Sequence, residues 1–109
     1  MAGTDDIAGF TLHRELELYA KAGIPAADVL RIATHNGAKF TGTLDSLGSV
    51  KRERLADLIL IAGDPTSNIS DIRRVSLVMK AGSVYFPAEI YEAVGVRRFV
   101  DPPVIAVTK

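Results

Sequence analysis

The hydrophobic pattern changes its period near Gly42, and this change limits the folds open to the chain. Before Gly42, apolar residues recur at intervals of three and four, which predicts amphipathic helices. After it, apolar residues come in short runs bounded by turn residues, which predicts strands. A length of 109 residues allows at most one domain with a modest core. The sequence therefore predicts an α+β fold in which helices precede a small sheet.

The two predicted helices span residues 11–22 and 25–40. Gly23 suits the left-handed conformation just past a helix end, and Pro25 suits the first position of the next helix. This short connection predicts a helical hairpin, and Gly37 predicts a bend or an early end in the second helix. The apolar stripes of the two helices are expected to contain Leu12, Leu16, Tyr19, Ala20, Val29, Leu30, Ala33 and Phe40.

The second part of the chain is predicted to form a mostly antiparallel sheet of three or four strands. The LILI run at 58–61 is continuously apolar and bounded by turn residues, so a buried strand is expected. Residues 75–80 and 83–86 flank an Ala-Gly pair that is typical of a hairpin turn. Three further elements are predicted: a short strand at 48–51, a helix at 87–94 and an apolar stretch at 104–107 that pairs as a strand or docks elsewhere.

Charge and composition argue against several classes of function. Thirteen Lys and Arg residues balance thirteen Asp and Glu residues, so no broad attraction to nucleic acid or to anionic membranes is expected. The absence of Cys excludes a thiolate nucleophile and a Cys-ligated metal, and it fits a cytoplasmic protein. No apolar run approaches the ~20 residues of a membrane span, and no signal peptide is visible. Near-neutral charge also favours self-association.

Two adjacent carboxylates near the N-terminus, Asp5 and Asp6, are candidate functional residues. Carboxylates at the end of a strand are common in active sites, whereas those in a frayed terminus usually have no role, and the local residues do not decide between these alternatives. His13 and His35 lie on predicted helices without His-x-His spacing, so surface or structural roles are expected for them.

Acidic residues on both sides of the LILI run are expected to have structural roles. Asp57 precedes the run and is expected to form a turn or a hydrogen bond. Asp64 is followed by proline, which is typical of a turn. The charged residues at 51–54 are expected to form a solvated hairpin tip.

Six stretches taken together resemble the C-terminal end of metal-dependent amidohydrolases, in the imidazolonepropionase-like and prolidase-like branch. Their order and spacing match that family from residue 2 to about residue 86. The stretches are AGTD (2–5), LHRELELYAKAGI (12–24), VLRIATHNGAKFTG (29–42), LGSV (47–50), LADLILIAGDP (55–65) and VMKAGSVY (78–85).

The resemblance implies a place for each part of the chain in the family's fold, which is a (β/α)8 barrel with a small β-sandwich assembled from both chain ends. Residues 1–45 would contain the eighth barrel strand and the helices that follow it. Residues 46–86 would form the C-terminal part of the sandwich, and residues 87–109 would add a helix and a tail. The chain is therefore expected to be the C-terminal portion of a longer enzyme.

The resemblance also assigns a role to Asp5, which matches the family's strand-eight aspartate. That carboxylate ligates a divalent metal, here expected to be zinc or another divalent ion, and accepts a proton from the metal-bound water. Asp6 is expected to be a loop residue or an acidic residue at the helix entry. The family's remaining ligands, mostly histidines, would lie before Met1. The isolated chain is therefore expected to bind no metal and to have no hydrolase activity.

Two functions remain open on this reading. In the first, the chain is part of an enzyme that hydrolyses an amide or related C–N bond in a small-molecule or peptide-like substrate. In the second, it is a non-catalytic module that self-associates through surfaces that the barrel would cover. A homo-oligomer is expected from the uncovered apolar surfaces, and no nucleic-acid or membrane partner is expected.

Overall fold

A computed structural model describes residues 2–3 and 11–105 of the chain. The α+β order is confirmed, since helices come first and a three-stranded antiparallel sheet follows. The elements are α1 (Thr11–Lys21), α2 (Ala26–Arg31), a π-helical turn (Ile32–Asn36), α3 (Gly37–Thr41), β1 (Leu58–Ile61), a 3₁₀ helix (Ile69–Arg73), β2 (Val75–Lys80), β3 (Ser83–Tyr85) and α4 (Pro87–Ala93).

The connection between α1 and α2 has the predicted glycine geometry. Gly23 has a φ of +107°, and its N–H donates to the carbonyl of Ala20 at 3.1 Å. The next N–H, from Ile24, donates to the carbonyl of Tyr19 at 3.2 Å, which completes a Schellman motif. Pro25 lies just before the first residue of α2 rather than within its first turn, so α2 begins one residue later than predicted.

The second predicted helix continues to Thr41 and is widened rather than broken near Gly37. The π-helical turn occupies Ile32–Asn36, directly before that glycine. Because a π-helical turn contains about one more residue than an α-helical turn, it shifts the faces of all the residues that follow it. Phe40 would otherwise return to the face of Val29 after about three turns. It is instead 76% exposed, so its predicted place on the buried stripe is wrong.

The core lies between α1, α2 and the 3₁₀ helix. Its buried members come from all three elements: Leu16, Val29, Ile69 and Ile72. Ile61 is partly buried against this cluster and connects it to β1. From the predicted stripes, Tyr19, Ala20, Leu30 and Ala33 also pack against the cluster, whereas Leu12 is 42% exposed.

The sheet has the strand order β1-β2-β3, and both pairings are antiparallel. Its hairpin turn at Ala81-Gly82 is confirmed, and both residues have positive φ, as a two-residue hairpin of type I′ requires. The LILI run does form a strand. Its predicted burial is wrong, because Leu58, Ile59 and Leu60 are 37%, 50% and 56% exposed on an edge strand that no described element covers.

Two other parts of the predicted sheet differ in the structure. Residues 48–51 form no strand and lie as a loop against the second helix, and residues 51–54 form an exposed turn without paired strands on either side. Val104 and Ile105 take no regular structure, while residues 106 and 107 lie outside the described residues.

The helix predicted at 87–94 is confirmed as α4. The division of the chain at residues 45 and 86 stays a prediction.

Gly48 makes the closest approach between the loop and the second helix. A Cβ atom at this position would lie 2.6 Å from Cβ of Ala38 and 3.2 Å from the carbonyl oxygen of Thr34. Its φ of +90° also disfavours any side chain. The loop can therefore pack here only because residue 48 is glycine.

We expect Gly48→Ala to lower the free energy of unfolding by about 2–4 kcal/mol, from overpacking added to backbone strain. Gly82→Ala is the matched control, since Gly82 has a φ of +81° and no atom within 4 Å of its added Cβ, so strain alone should cost about 1 kcal/mol. Urea unfolding followed by circular dichroism measures both. Equal losses in the two variants would contradict the close packing of the loop on the helix.

Candidate functional site

Asp5 and Asp6 lie outside the described residues, so the metal-ligand role of Asp5 stays a prediction. Within residues 2–3 and 11–105, no three His, Cys, Asp or Glu side chains lie close enough together to hold a metal ion. His13 and His35 belong to no such group, and the ring of His35 lies 3.4 Å from the side-chain oxygen of Asn36. The described part of the chain therefore does not fit a metal centre by itself.

A polar cluster of Glu17, Ser70 and Arg73 joins α1 to the 3₁₀ helix. Arg73 donates to Oε1 of Glu17 through Nη2 at 2.6 Å and through Nε at 3.1 Å. The Ser70 hydroxyl donates to the second carboxylate oxygen at 2.6 Å. Sequence reasoning missed this cluster because Glu17 is more than 50 residues from both of its partners and no local pattern marks them.

The cluster shifts the pKa values of two side chains, Glu17 and His13, and thereby makes the stability of the fold depend on pH. The Arg73 guanidinium, which donates to Glu17, holds the pKa of that carboxyl below its usual value, and the Ser70 hydroxyl adds to this effect. Burial lowers the pKa of the nearby His13 and the Arg73 charge lowers it further, while Glu17 opposes both. The three side chains of the cluster are hydrogen-bonded to one another, so its role is structural.

The two acidic residues beside β1 both accept hydrogen bonds, in agreement with their predicted structural roles. Oδ1 of Asp57 accepts from the backbone N–H of Ala81 at 3.1 Å, which ties the start of β1 to the hairpin turn. Asp64 accepts from the backbone N–H of Thr66 at 3.0 Å and from the hydroxyl of Ser67 at 2.9 Å. The Thr66 hydroxyl also donates to Oδ1 of Asp64 and has the largest effect on its ionisation, and together these bonds hold the pKa of the Asp64 carboxyl below its usual value.

A surface cavity with a volume of 680 Å³ lies between the second helix and β1. Small residues of the helix form one wall, the loop at 47–50 forms another, and Leu58 and Ile59 form a third. Asp57 is its one ionisable residue, and the Ala81 N–H already engages that carboxylate. Without an acid–base pair, this cavity fits an apolar segment better than a reacting substrate.

Comparison with known proteins places this arrangement in a family. The model of the amidohydrolase family matches residues 1–85. The chain belongs to the amidohydrolase family. A comparison with curated proteins found no match.

Two solved structures show how much of an amidohydrolase this chain represents. A Xaa-Pro dipeptidase with bound methionine in its active site is 36% identical over 70% of this chain, with a TM-score of 0.67. Molinate hydrolase is 22% identical over 91% of the chain, with a TM-score of 0.68, and supports the fold alone. The chain spans only 19% and 21% of those two structures. In the described part of this amidohydrolase chain, no helix is long and apolar enough to cross a membrane.

We expect Glu17→Gln to lower the free energy of unfolding at pH 7 by about 1–2 kcal/mol, because a charge-assisted hydrogen bond is lost. Since the pKa of Glu17 is lowered in the folded state, its contribution is present above its ordinary value of 4.5 and is lost as the pH falls below it. His13 also lowers the free energy of unfolding as the pH falls below 6.5, the ordinary pKa of histidine, because its imidazole takes up a proton more readily in the unfolded state.

Urea unfolding measured between neutral and acid pH tests this coupling. Stability of the native chain should fall with pH in two stages, and Glu17→Gln should flatten the more acid stage. Glu92→Gln, on the exposed side of α4, is the control and should leave the profile unchanged. A profile that is the same for all three proteins would show that the cluster contributes nothing.

Proposed function

We propose that this chain is the C-terminal part of a metal-dependent amidohydrolase that hydrolyses an amide or related C–N bond. The match of the family model over residues 1–85 carries this proposal. The 36% identity to a Xaa-Pro dipeptidase favours a small-molecule or peptide-like substrate. The balanced charge of the chain and its lack of Cys support a cytoplasmic protein without a nucleic-acid or membrane partner.

In this proposal, Asp5 is the metal ligand and proton acceptor at the end of the eighth barrel strand. Zinc, or another divalent ion, would supply a water molecule that is acidic enough to ionise near neutral pH. The described residues offer no cluster that could complete the site, so the other ligands would come from the rest of the barrel. The chain alone is therefore proposed to be inactive.

A second candidate function, self-association, is supported by exposed surface. Among the described residues, Phe40 is 76% exposed, Val50 is 83% exposed and Val94 is 65% exposed. Much of the exposed surface is apolar, as on β1, and exposed apolar patches of this kind mark interfaces. A module of this type would bind a second copy of itself rather than turn over a substrate.

A chimeric enzyme tests the catalytic proposal. The segment of the Xaa-Pro dipeptidase that matches this chain would be replaced by residues 1–109, and hydrolysis of an Xaa-Pro dipeptide would be measured together with zinc content. The chimera should be active. Asp5→Asn should lower activity by about 100-fold or more, whereas the neighbouring Asp6→Asn should leave it largely unchanged. A chimera that is folded and loaded with zinc but does not depend on Asp5 would contradict the proposal.

The isolated chain gives the complementary prediction. After purification and exposure to zinc it should hold no stoichiometric metal and should not hydrolyse a panel of amides and esters. Metal analysis by mass spectrometry and chromatographic product assays measure both properties. Stoichiometric zinc that is lost in Asp5→Asn, accompanied by turnover, would show that the chain assembles a site of its own.

A further inference from the structure

We propose that a cavity between the end of β1 and the segment after α4 binds the phosphate group of a small organic phosphate. The cavity has a volume of 540 Å³, and its lining includes three arginines: Arg74, Arg97 and Arg98. A cavity of this size suits a small-molecule ligand. Two of the three arginines lie beyond residue 85, where the match to the family model ends, and binding here does not require the proposed hydrolysis.

The cavity carries a local excess of positive charge. Its three guanidinium groups are permanently ionised, and Asp101 is the one acidic residue in its lining, which leaves a net charge of +2. The chain as a whole has a net charge of zero, so the excess is confined to this site. Such a site favours a compact anion over a long polyanion, whose binding needs an extended basic surface.

Two hydrogen bonds with Ala62 hold Arg74 at one wall of the cavity. The backbone N–H of Ala62 donates to the carbonyl of Arg74 at 2.9 Å, and Nε of Arg74 donates to the carbonyl of Ala62 at 2.6 Å. The second bond sets the direction of the guanidinium and does not use the four N–H donors on its two Nη atoms. A donor that is already oriented loses less side-chain entropy when a ligand binds.

The other wall is anchored to α4 on both sides of its two arginines. Before them, the N–H of Val96 donates to the carbonyl of Tyr91 at 2.8 Å, and after them the ring of Phe99 packs edge-on against Tyr91 at 5.8 Å. Nη2 of Arg98 also pairs with Oδ1 of Asp101 at 3.0 Å, which orients this arginine as well. The side chain of Asp101 is 84% exposed, so water screens much of its repulsion of an anion.

A phosphate monoester matches this site better than a carboxylate does. It carries a charge of about −1.5 to −2 at pH 7 and three strong acceptor oxygens, which suit a net charge of +2 and three guanidinium groups. A carboxylate offers one charge and two oxygens. Phe99 and Val100 add apolar surface to the lining, and the organic part of an ester can contact it whereas inorganic phosphate cannot.

Titration of the 109-residue chain with phenyl phosphate, followed by NMR at constant ionic strength, tests the site. The backbone amide signals of residues 62, 74 and 97–101 should shift, with a Kd of about 1 mM or below. Inorganic phosphate should shift the same signals but bind several-fold more weakly. Benzoate, which has the same ring and a carboxylate, should bind about tenfold more weakly or worse.

Two arginine variants separate binding in the cavity from general attraction to positive charge. Arg97→Ala should weaken the binding of phenyl phosphate by about tenfold or more, because hydrogen bonds to a charged group are lost. Arg31→Ala removes the same charge from the last turn of α2, outside the cavity, and should leave the affinity unchanged. Circular dichroism of both variants checks that they are folded.

Three results would count against the proposal. Equal weakening in the two variants, or shifts spread over the whole surface, would show that the anion senses only general charge and would overturn the site. Benzoate that binds as tightly as phenyl phosphate would overturn the preference for phosphate. Inorganic phosphate that binds as tightly as the ester would overturn the organic ligand and identify the free ion as the occupant.

Discussion

The contact between α1 and the 3₁₀ helix holds the two halves of this chain together. The 3₁₀ helix is inserted between β1 and β2, so the residues that it presents to α1 fix the sheet against the helical hairpin. Ile69 and Ile72 supply the apolar part of this contact against Leu16 and Val29. The Arg73–Glu17 ion pair, whose carboxylate is only 14% exposed, supplies the polar part. Because the pair is partly buried, removing one partner would leave the other charge without compensation and would destabilise the fold.

This arrangement explains why the chain has an ordered core and yet leaves much apolar surface uncovered. The core lies at the end of β1 that carries Ile61, and Leu58, Ile59 and Leu60 extend beyond it. The two solved structures that this chain resembles are about four times as long, so further elements are available there to cover such a strand.

Local signals in the sequence predicted the elements that depend on local chemistry. Gly23 marked the end of α1, the Ala81-Gly82 pair marked the hairpin, and the proline at position 87 marked the start of α4. The burial of β1 could not be predicted, because it depends on which elements are present to cover it rather than on the LILI sequence. The Glu17–Arg73 pair could not be predicted either, because its two residues lie far apart in the chain. The role of Asp5 came from resemblance alone, because an isolated Asp-Asp pair has no pattern that specifies a metal ligand.

Amide hydrogen exchange on the isolated chain tests most directly whether the α1–3₁₀ contact organises the fold. The slowest-exchanging amides should belong to α1 and α2, around Leu16 and Val29, because their opening requires the core to be disrupted. Amides on the free edge of β1 should exchange much faster. If the amides of β1 were protected as well as those of the two helices, or if both helices exchanged as freely as the edge, the α1–3₁₀ contact would not be the centre of this structure.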